Sequence, residues 1–188
     1  ANVLAGMGLG RGDHAAILMH NRPEMLEAMF ACFKAGCAVV PINFRLHPQE
    51  FAYIIDHSGA RAVILSSEFS QAIEAIGRQV PQVDEFITAG PPGVSELSDY
   101  ESRLAAQPGR FADVDVDADD TGWLFYTSGT TGRPKGAMLT HRNLLAMTMG
   151  FYADMTCDFG PGDVTLHDVA IIDGNSTPDD DDDDIVVA

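Results

Sequence analysis

Basic residues are scarce in this chain. Of 188 residues, 11 are Lys or Arg and 28 are Asp or Glu, for a net charge of −17. There is no basic stripe, which argues against sequence-independent nucleic-acid binding. Cysteine is also sparse: Cys32, Cys37 and Cys157. An odd, unpaired set argues against a disulfide framework and suits a reducing, cytoplasmic setting. Cys32 and Cys37 lie five apart on an expected helix, so they are expected to point to different faces as small apolar core residues. Long apolar runs are missing. "AAILM" and "AVVPI" fall far short of a bilayer's thickness, so no membrane span is expected. The start, "ANVLAGMGLGRGD", has neither the basic region nor the long apolar centre of a secretory signal. It lacks an initiating Met, so the natural start is taken to have been processed, cut or left out.

What is present is an ordinary globular composition, 46% hydrophobic. The length suits one domain to one and a half. The acidity is uneven. Residues 168–188 hold eight Asp and no Lys or Arg, six of them consecutive from Asp179 to Asp184, and residues 1–167 carry −9. A block of like charge repels itself and is expected to stay solvated, without a catalytic role.

From residue 13 the pattern alternates. "AAILM" (15–19) reads as a strand buried on both faces. "NRPEMLEAMFACFKAG" reads as a helix, capped by Asn21, with Pro23 in its first turn and Gly36 at its end. Its expected apolar stripe is Leu26, Met29, Phe30 and Phe33. "CAVVPIN" is the next strand. "HPQEFAYIIDHSG" is a helix that buries Phe51, Ile54 and Ile55 and stops at Gly59. "ARAVILS" follows as a strand, then "EFSQAIEAIGRQV" as a helix with Phe69, Ala72, Ile73 and Ile76 on one face, then "DEFITAG" as a strand. Strands alternating with helices through short loops imply βαβ crossovers and an α/β fold with a mainly parallel sheet. Residues 91–120 break the rhythm with Pro, Gly, Ser and Asp, and hold one short helix near 98–106. "TGWLFYT" opens a new strand, "AMLT" is a return strand, and Thr140 caps a final helix, "HRNLLAMTMGFYADM", with Leu144, Met147, Thr148 and Phe151 on one face. The expected segments are an N-terminal α/β subdomain (1–110), the start of a further sheet segment with a loop at 127–136 (111–167), and an acidic tail (168–188).

The loop between the last two strands is the most informative stretch. Thr127 to Gly136 contains four Ser or Thr, three Gly and one Lys, none of which fills a core. A strand ending in a Gly-rich loop presents backbone N–H groups to an anion. Gly129, Gly132 and Gly136 allow close approach to the main chain. Ser128, Thr130 and Thr131 add hydroxyl donors, and Lys135 adds a mobile point charge. Pro134 biases Arg133 toward extended geometry. Together these make a polyphosphate clamp; on composition alone, a flexible surface linker competes with it. Two familiar phosphate motifs do not fit. The P-loop needs Gly, four residues, then Gly-Lys-Ser/Thr, whereas Lys135 is followed by Gly136. The dinucleotide fingerprint fails too, because Gly6, Gly8, Gly10 and Gly12 have the wrong spacing and precede a strand.

"YTSGTTGRPKGAMLTHRNL" resembles the signature of the adenylate-forming enzymes: acyl-CoA synthetases, aryl-CoA ligases, luciferases and peptide-synthetase adenylation domains. The upstream "PEMLEAMFACFKAG" and "VPIN" agree with the first subdomain of acyl-CoA synthetases, and the resemblance covers about residues 3–167. It implies that a carboxylate attacks the α-phosphorus of ATP, that pyrophosphate leaves, and that a thiol, usually of coenzyme A, then takes the acyl group. It assigns phosphate binding to Thr127, Ser128, Gly129, Thr130, Thr131, Gly132 and Lys135, with Lys135 as the catalytic residue, and implies Mg²⁺ bridging the phosphates. The family's adenine-binding stretch, Thr-Glu pair, ribose-binding Asp and C-terminal Lys have no counterpart here. The expectation is therefore the N-terminal part of an AMP-forming carboxylic acid–CoA ligase. Two rivals remain: a peptide-synthetase-type adenylation domain, and a non-catalytic remnant that binds nucleotide or a partner. Expected partners are the acid, ATP and CoA, with no nucleic acid; homo-oligomerisation is left open.

Four other features carry less. "RGD" at 11–13 reads as a turn before the first strand. "NST" at 175–177 is a glycosylation sequon with nothing to support secretion. The acidic and polar spacing from Asp173 imitates a calcium loop but has Pro178 where Gly is required. The histidines show no metal-ligand spacing, and His141 reads as a helix-start residue.

Overall fold

In the computed structural model the described residues are 1–91, 97–112, 114–127 and 133–155. The chain divides into two compact units, Ala1–Ala146 and Met147–Ala188. In the second unit only 147–155 are described; they complete the last helix. Cys157, Ser128–Gly132, the "NST" sequon, the calcium-like spacing from Asp173 and the Asp179–Asp184 run lie outside the described residues.

The first unit is built on a seven-stranded sheet. Its strands are β1 (His14–Leu18), β2 (Ala38–Pro41), β3 (Ala62–Ser66), β4 (Glu85–Ala89), β5 (Ser98–Asp99), β6 (Thr121–Thr127) and β7 (Lys135–Thr140). The order across the sheet is β5-β4-β3-β1-β2-β6-β7. Every pairing is parallel except the β6–β7 hairpin. The fold is therefore α/β with a mainly parallel sheet, as the alternating pattern implies.

The helices are α1 (Asn2–Gly6), α2 (Pro23–Ala35), α3 (Pro48–Ser58), α4 (Ser70–Ile76), α5 (Tyr100–Ala105) and α6 (His141–Met155). The connection from β1 to β2 runs one way along the sheet, and those from β2 to β3 and β3 to β4 run the other. Crossovers of one hand then place α2 and the pair α3 and α4 on opposite faces. The core divides accordingly. Ala15, Ile17, Val39 and Ile64 pack with Leu4, Ala28, Cys32 and Tyr100. Ala16, Leu18, Val40, Val63 and Leu65 pack with Phe51, Ile54, Ile55, Ile73 and Ile76. With both faces covered, β1, β2 and β3 are buried almost throughout, hence their unbroken apolar runs.

Four expectations are corrected. The N-cap of α2 is Arg22, not Asn21. Pro23 takes the first helical position, so the cap is the residue just before it. Leu26 and Phe30 are 56% and 62% exposed, and the buried stripe is Ala28, Cys32 and Ala35. Small side chains let the helix lie close to the sheet; the large ones turn outward or flank the contact. Cys37 is not on the helix. Gly36 ends it in the left-handed region, and Cys32 and Cys37 enter the same cluster instead of pointing to different faces. The short helix expected near 98–106 begins only at Tyr100, because Ser98 and Asp99 pair with β4 as β5 and Asp99 then caps α5. On α6, Leu144 is half-buried and Met147, Thr148 and Phe151 are exposed, which leaves the expected shared face of that helix as it was.

Other details follow the sequence. α3 has a capping box, in which Gln49 N–H donates to His47 Nδ1 (3.2 Å) and His47 N–H donates to Glu50 Oε2 (2.9 Å). Gly59 ends it at φ 66°. Thr140 caps α6: its Oγ1 accepts from Asn143 N–H (3.2 Å), and its own N–H donates to Asn143 Oδ1 (3.0 Å). Among the described residues, no helix is long and apolar enough to cross a membrane.

Candidate functional site

Open α/β sheets bind ligands beyond the carboxyl ends of their parallel strands. β6 ends at such a place, and the loop motif follows it. β7 returns antiparallel, with Thr127 paired to Lys135 and Tyr126 to Gly136. Of the expected phosphate-binding set, Thr127 and Lys135 thus face each other across the hairpin, both exposed. Ser128, Gly129, Thr130, Thr131 and Gly132 lie outside the described residues. A hydroxyl beside an ammonium is a donor pair suited to phosphate oxygens. Among the described residues, no group of three or more His, Cys, Asp or Glu is placed to hold a metal ion.

The hairpin is tied to α3 by contacts that the sequence reading did not anticipate. Tyr53 Oη donates to the carbonyl of Pro134 at 3.3 Å. One turn on, His57 Nδ1 is hydrogen-bonded to Tyr126 Oη at 2.7 Å. The two α3 rings stack at 5.2 Å, and His57 meets the Tyr126 ring edge-on at 5.8 Å. The Arg133 guanidinium lies 5.7 Å from the Tyr53 ring centroid, within cation–π range. Burial, with neighbouring Tyr53, pushes the Tyr126 phenol up to about 12, so it keeps its proton at neutral pH. Gly136 has a steric reason to be glycine: a Cβ there would lie 3.1 Å from Tyr126 Cζ. The available signal was an aromatic pair at i and i+4 on the helix, Tyr53 and His57, together with a tyrosine immediately before the loop.

The opposite ends of the strands are held by charge. Arg61 donates to Asp84 Oδ2 (3.0 Å), Asp13 Oδ1 (3.1 Å) and the Gly8 carbonyl (3.2 Å). This joins the entries to β1, β3 and β4 and leaves the carboxyl ends to the loop.

The architecture is that of the N-terminal domain of adenylate-forming enzymes. The structure of an anthranilate CoA ligase, AuaEII, in complex with anthranoyl-AMP matches it with a TM-score of 0.75 and 30% identity, over 80% of this chain and 29% of that one. A Mycobacterium tuberculosis fatty acyl CoA synthetase matches with a TM-score of 0.65 and 31% identity, over 74% of this chain and 26% of that one. The AMP-binding enzyme family matches residues 1–172, and the chain belongs to that family. A feruloyl-CoA synthase of an Amycolatopsis species is 40% identical over 146 residues, covering 77% of this chain and 26% of that protein. A 3-hydroxybenzoate/4-hydroxybenzoate–CoA ligase of Thauera aromatica is 31% identical, over 77% of this chain and 28% of that protein. The chain therefore spans little more than a quarter of the length of these relatives.

Proposed function

We propose that this chain is the N-terminal part of an ATP-dependent carboxylic acid–CoA ligase. A carboxylate oxygen attacks the α-phosphorus of ATP. The α–β bridging bond breaks, acyl-AMP forms and pyrophosphate departs. The thiol of coenzyme A then attacks the acyl carbon and AMP leaves. The single observation that carries this reading is the meeting of Thr127 and Lys135 at the carboxyl end of β6, where the Ser/Thr/Gly run must begin and end.

In the first step, negative charge collects on the departing β- and γ-phosphates. Donors fixed in advance around that charge lower the barrier, and one such donor is typically worth about 10²–10³ in rate. We assign this role to Thr127, Ser128, Gly129, Thr130, Thr131, Gly132 and Lys135. The described part of the chain offers no carboxylate set for Mg²⁺; the ion would arrive with the phosphates and neutralise part of their charge. We further place the functional segments at 1–110, 111–167 and 168–188, and the enzyme in the cytoplasm. The feruloyl, hydroxybenzoate and anthranilate ligases among its relatives make an aromatic acid the first choice of substrate.

The test is single-turnover acyl-AMP formation by the full-length enzyme over a panel of aromatic and aliphatic acids, in wild type and Lys135→Ala, beside thermal melting. Lys135→Ala should slow adenylation by about 10²-fold, lower the rate more than it weakens ATP binding, and leave melting within about 0.5 kcal/mol. Unchanged adenylation in Lys135→Ala would reduce the loop to a linker.

A further inference from the structure

We infer that Tyr53 and His57 of α3 are positioning residues for the phosphate-binding hairpin; this rests on the function proposed above. The geometry is a two-point bracket. Tyr53 holds the carbonyl of Pro134, which belongs to the peptide bond leading into Lys135. His57 holds the phenol of Tyr126, the residue immediately before Thr127. The Tyr126 ring lies on Gly136, just after Lys135, so the bracket closes across the hairpin. Tyr53 and His57 are also stacked on each other, so the two arms share one helix face.

The parts of the bracket differ in rigidity in a useful way. α3 is set into the sheet by Phe51, Ile54 and Ile55, each buried. Thr127 and Lys135 are exposed, on a hairpin whose parallel attachment to β2 is the single register pair Val39 and Trp123. A hairpin at a sheet edge gains little order from that side. Two hydrogen bonds from a packed helix supply it at the two residues next to the reacting phosphates. Preorganisation of this kind acts on the rate of the chemical step more than on the affinity for ATP, because donors that must move into place lose their advantage in the transition state. Neither side chain is assigned contact with substrate; both act through Thr127 and Lys135.

The experiment uses the full-length enzyme with Tyr53→Phe, His57→Ala and His57→Gln, each alone and combined with Lys135→Ala. Single-turnover adenylation and the KM for ATP are measured, with amide hydrogen exchange over 121–140. Tyr53→Phe keeps the ring and loses one hydroxyl, so folding is preserved. The loss of one hydrogen bond should lower the adenylation rate by about 3–10-fold, with KM for ATP changing less. His57→Gln, which retains a partner for Tyr126, should recover most of the rate lost in His57→Ala. Exchange over the hairpin should rise in Tyr53→Phe and His57→Ala. In the Lys135→Ala background, Tyr53→Phe should cost little more, because its arm acts through that lysine, whereas the His57 changes should keep the part of their effect that runs through Thr127. If Lys135→Ala slows adenylation but Tyr53→Phe and His57→Ala do not, the bracket is overturned and the clamp stands. An equal loss from Tyr53→Phe with and without Lys135 would also overturn it, by showing action elsewhere. If Lys135→Ala itself has no effect, the clamp fails and the positioning role falls with it.

Discussion

Two thiols show how burial governs chemistry at single residues. Cys32 and Cys37 are both fully buried. Loss of hydration raises the Cys32 thiol well above its ordinary value near 9, and burial, with nearby Asp13, raises Cys37 to about 11. Tyr126 moves the same way from 10 to about 12. Each group holds its proton more tightly folded than unfolded. Their contribution to stability is therefore complete below about pH 9 and is lost as pH rises through the folded values. We predict a melting temperature that falls steadily above pH 9, and neither thiol labelled by a charged disulfide reagent at pH 7.5; rapid labelling of Cys32 or Cys37 in the native chain would contradict the burial argument. That these cysteines are core residues was legible from their scarcity and apolar surroundings. Their common cluster was not, because a turn in Gly36 redirects the chain by one residue. Gly36 has φ 76°, and a Cβ there would lie 3.1 Å from Val114 Cγ1 and 3.3 Å from the Arg11 backbone. Gly36→Ala should thus cost about 1–3 kcal/mol and lower melting by roughly 3–10 °C.

At the scale of elements, the periodicities were readable and the contacts were not. α3 could be located from Pro48, Gly59 and its apolar spacing, and its buried residues came out correctly because large and apolar coincide there. On α2 they do not coincide. Its inward stripe is Ala28, Cys32 and Ala35, while Leu26 and Phe30 face outward, so side-chain size pointed the wrong way. The bracket on the hairpin was hidden for a related reason: residues 57 and 126 meet only after the sheet order is known. Caps, by contrast, are local. Thr140 and Asn143 exchange hydrogen bonds at the start of α6, with Thr140 Oγ1 donating to Asn143 Oδ1 at 2.9 Å. Thr140→Ala should destabilise the chain by about 1 kcal/mol and reduce helical circular dichroism, whereas Thr140→Ser should leave both nearly unchanged. Equal melting curves for the three proteins would show that α6 starts without its cap.

For the whole molecule, the quantity that matters is how much of the proposed ligase this chain contains. It spans 26% and 28% of the feruloyl and hydroxybenzoate relatives. It carries a sheet, a hairpin and the loop proposed to bind phosphate. The proposed reaction needs more than phosphate contacts: the adenine and the acid must also be held so that the carboxylate oxygen and the α-phosphorus lie about 3–3.5 Å apart, and such orientation is worth about 7–11 kcal/mol of the barrier. A clamp without those sites can stabilise departing charge but cannot assemble the reactants. We therefore predict no acid-dependent exchange of labelled pyrophosphate into ATP by the purified 188-residue chain, under conditions where the full-length enzyme exchanges readily. Inorganic triphosphate should still bind the chain weakly, and Lys135→Ala should weaken that binding. The two measurements separate the possibilities. Exchange by the chain alone would mean that acid and adenine sites lie within residues 1–188. Absence of both exchange and triphosphate binding would mean that the loop requires the rest of the enzyme even to recognise phosphate.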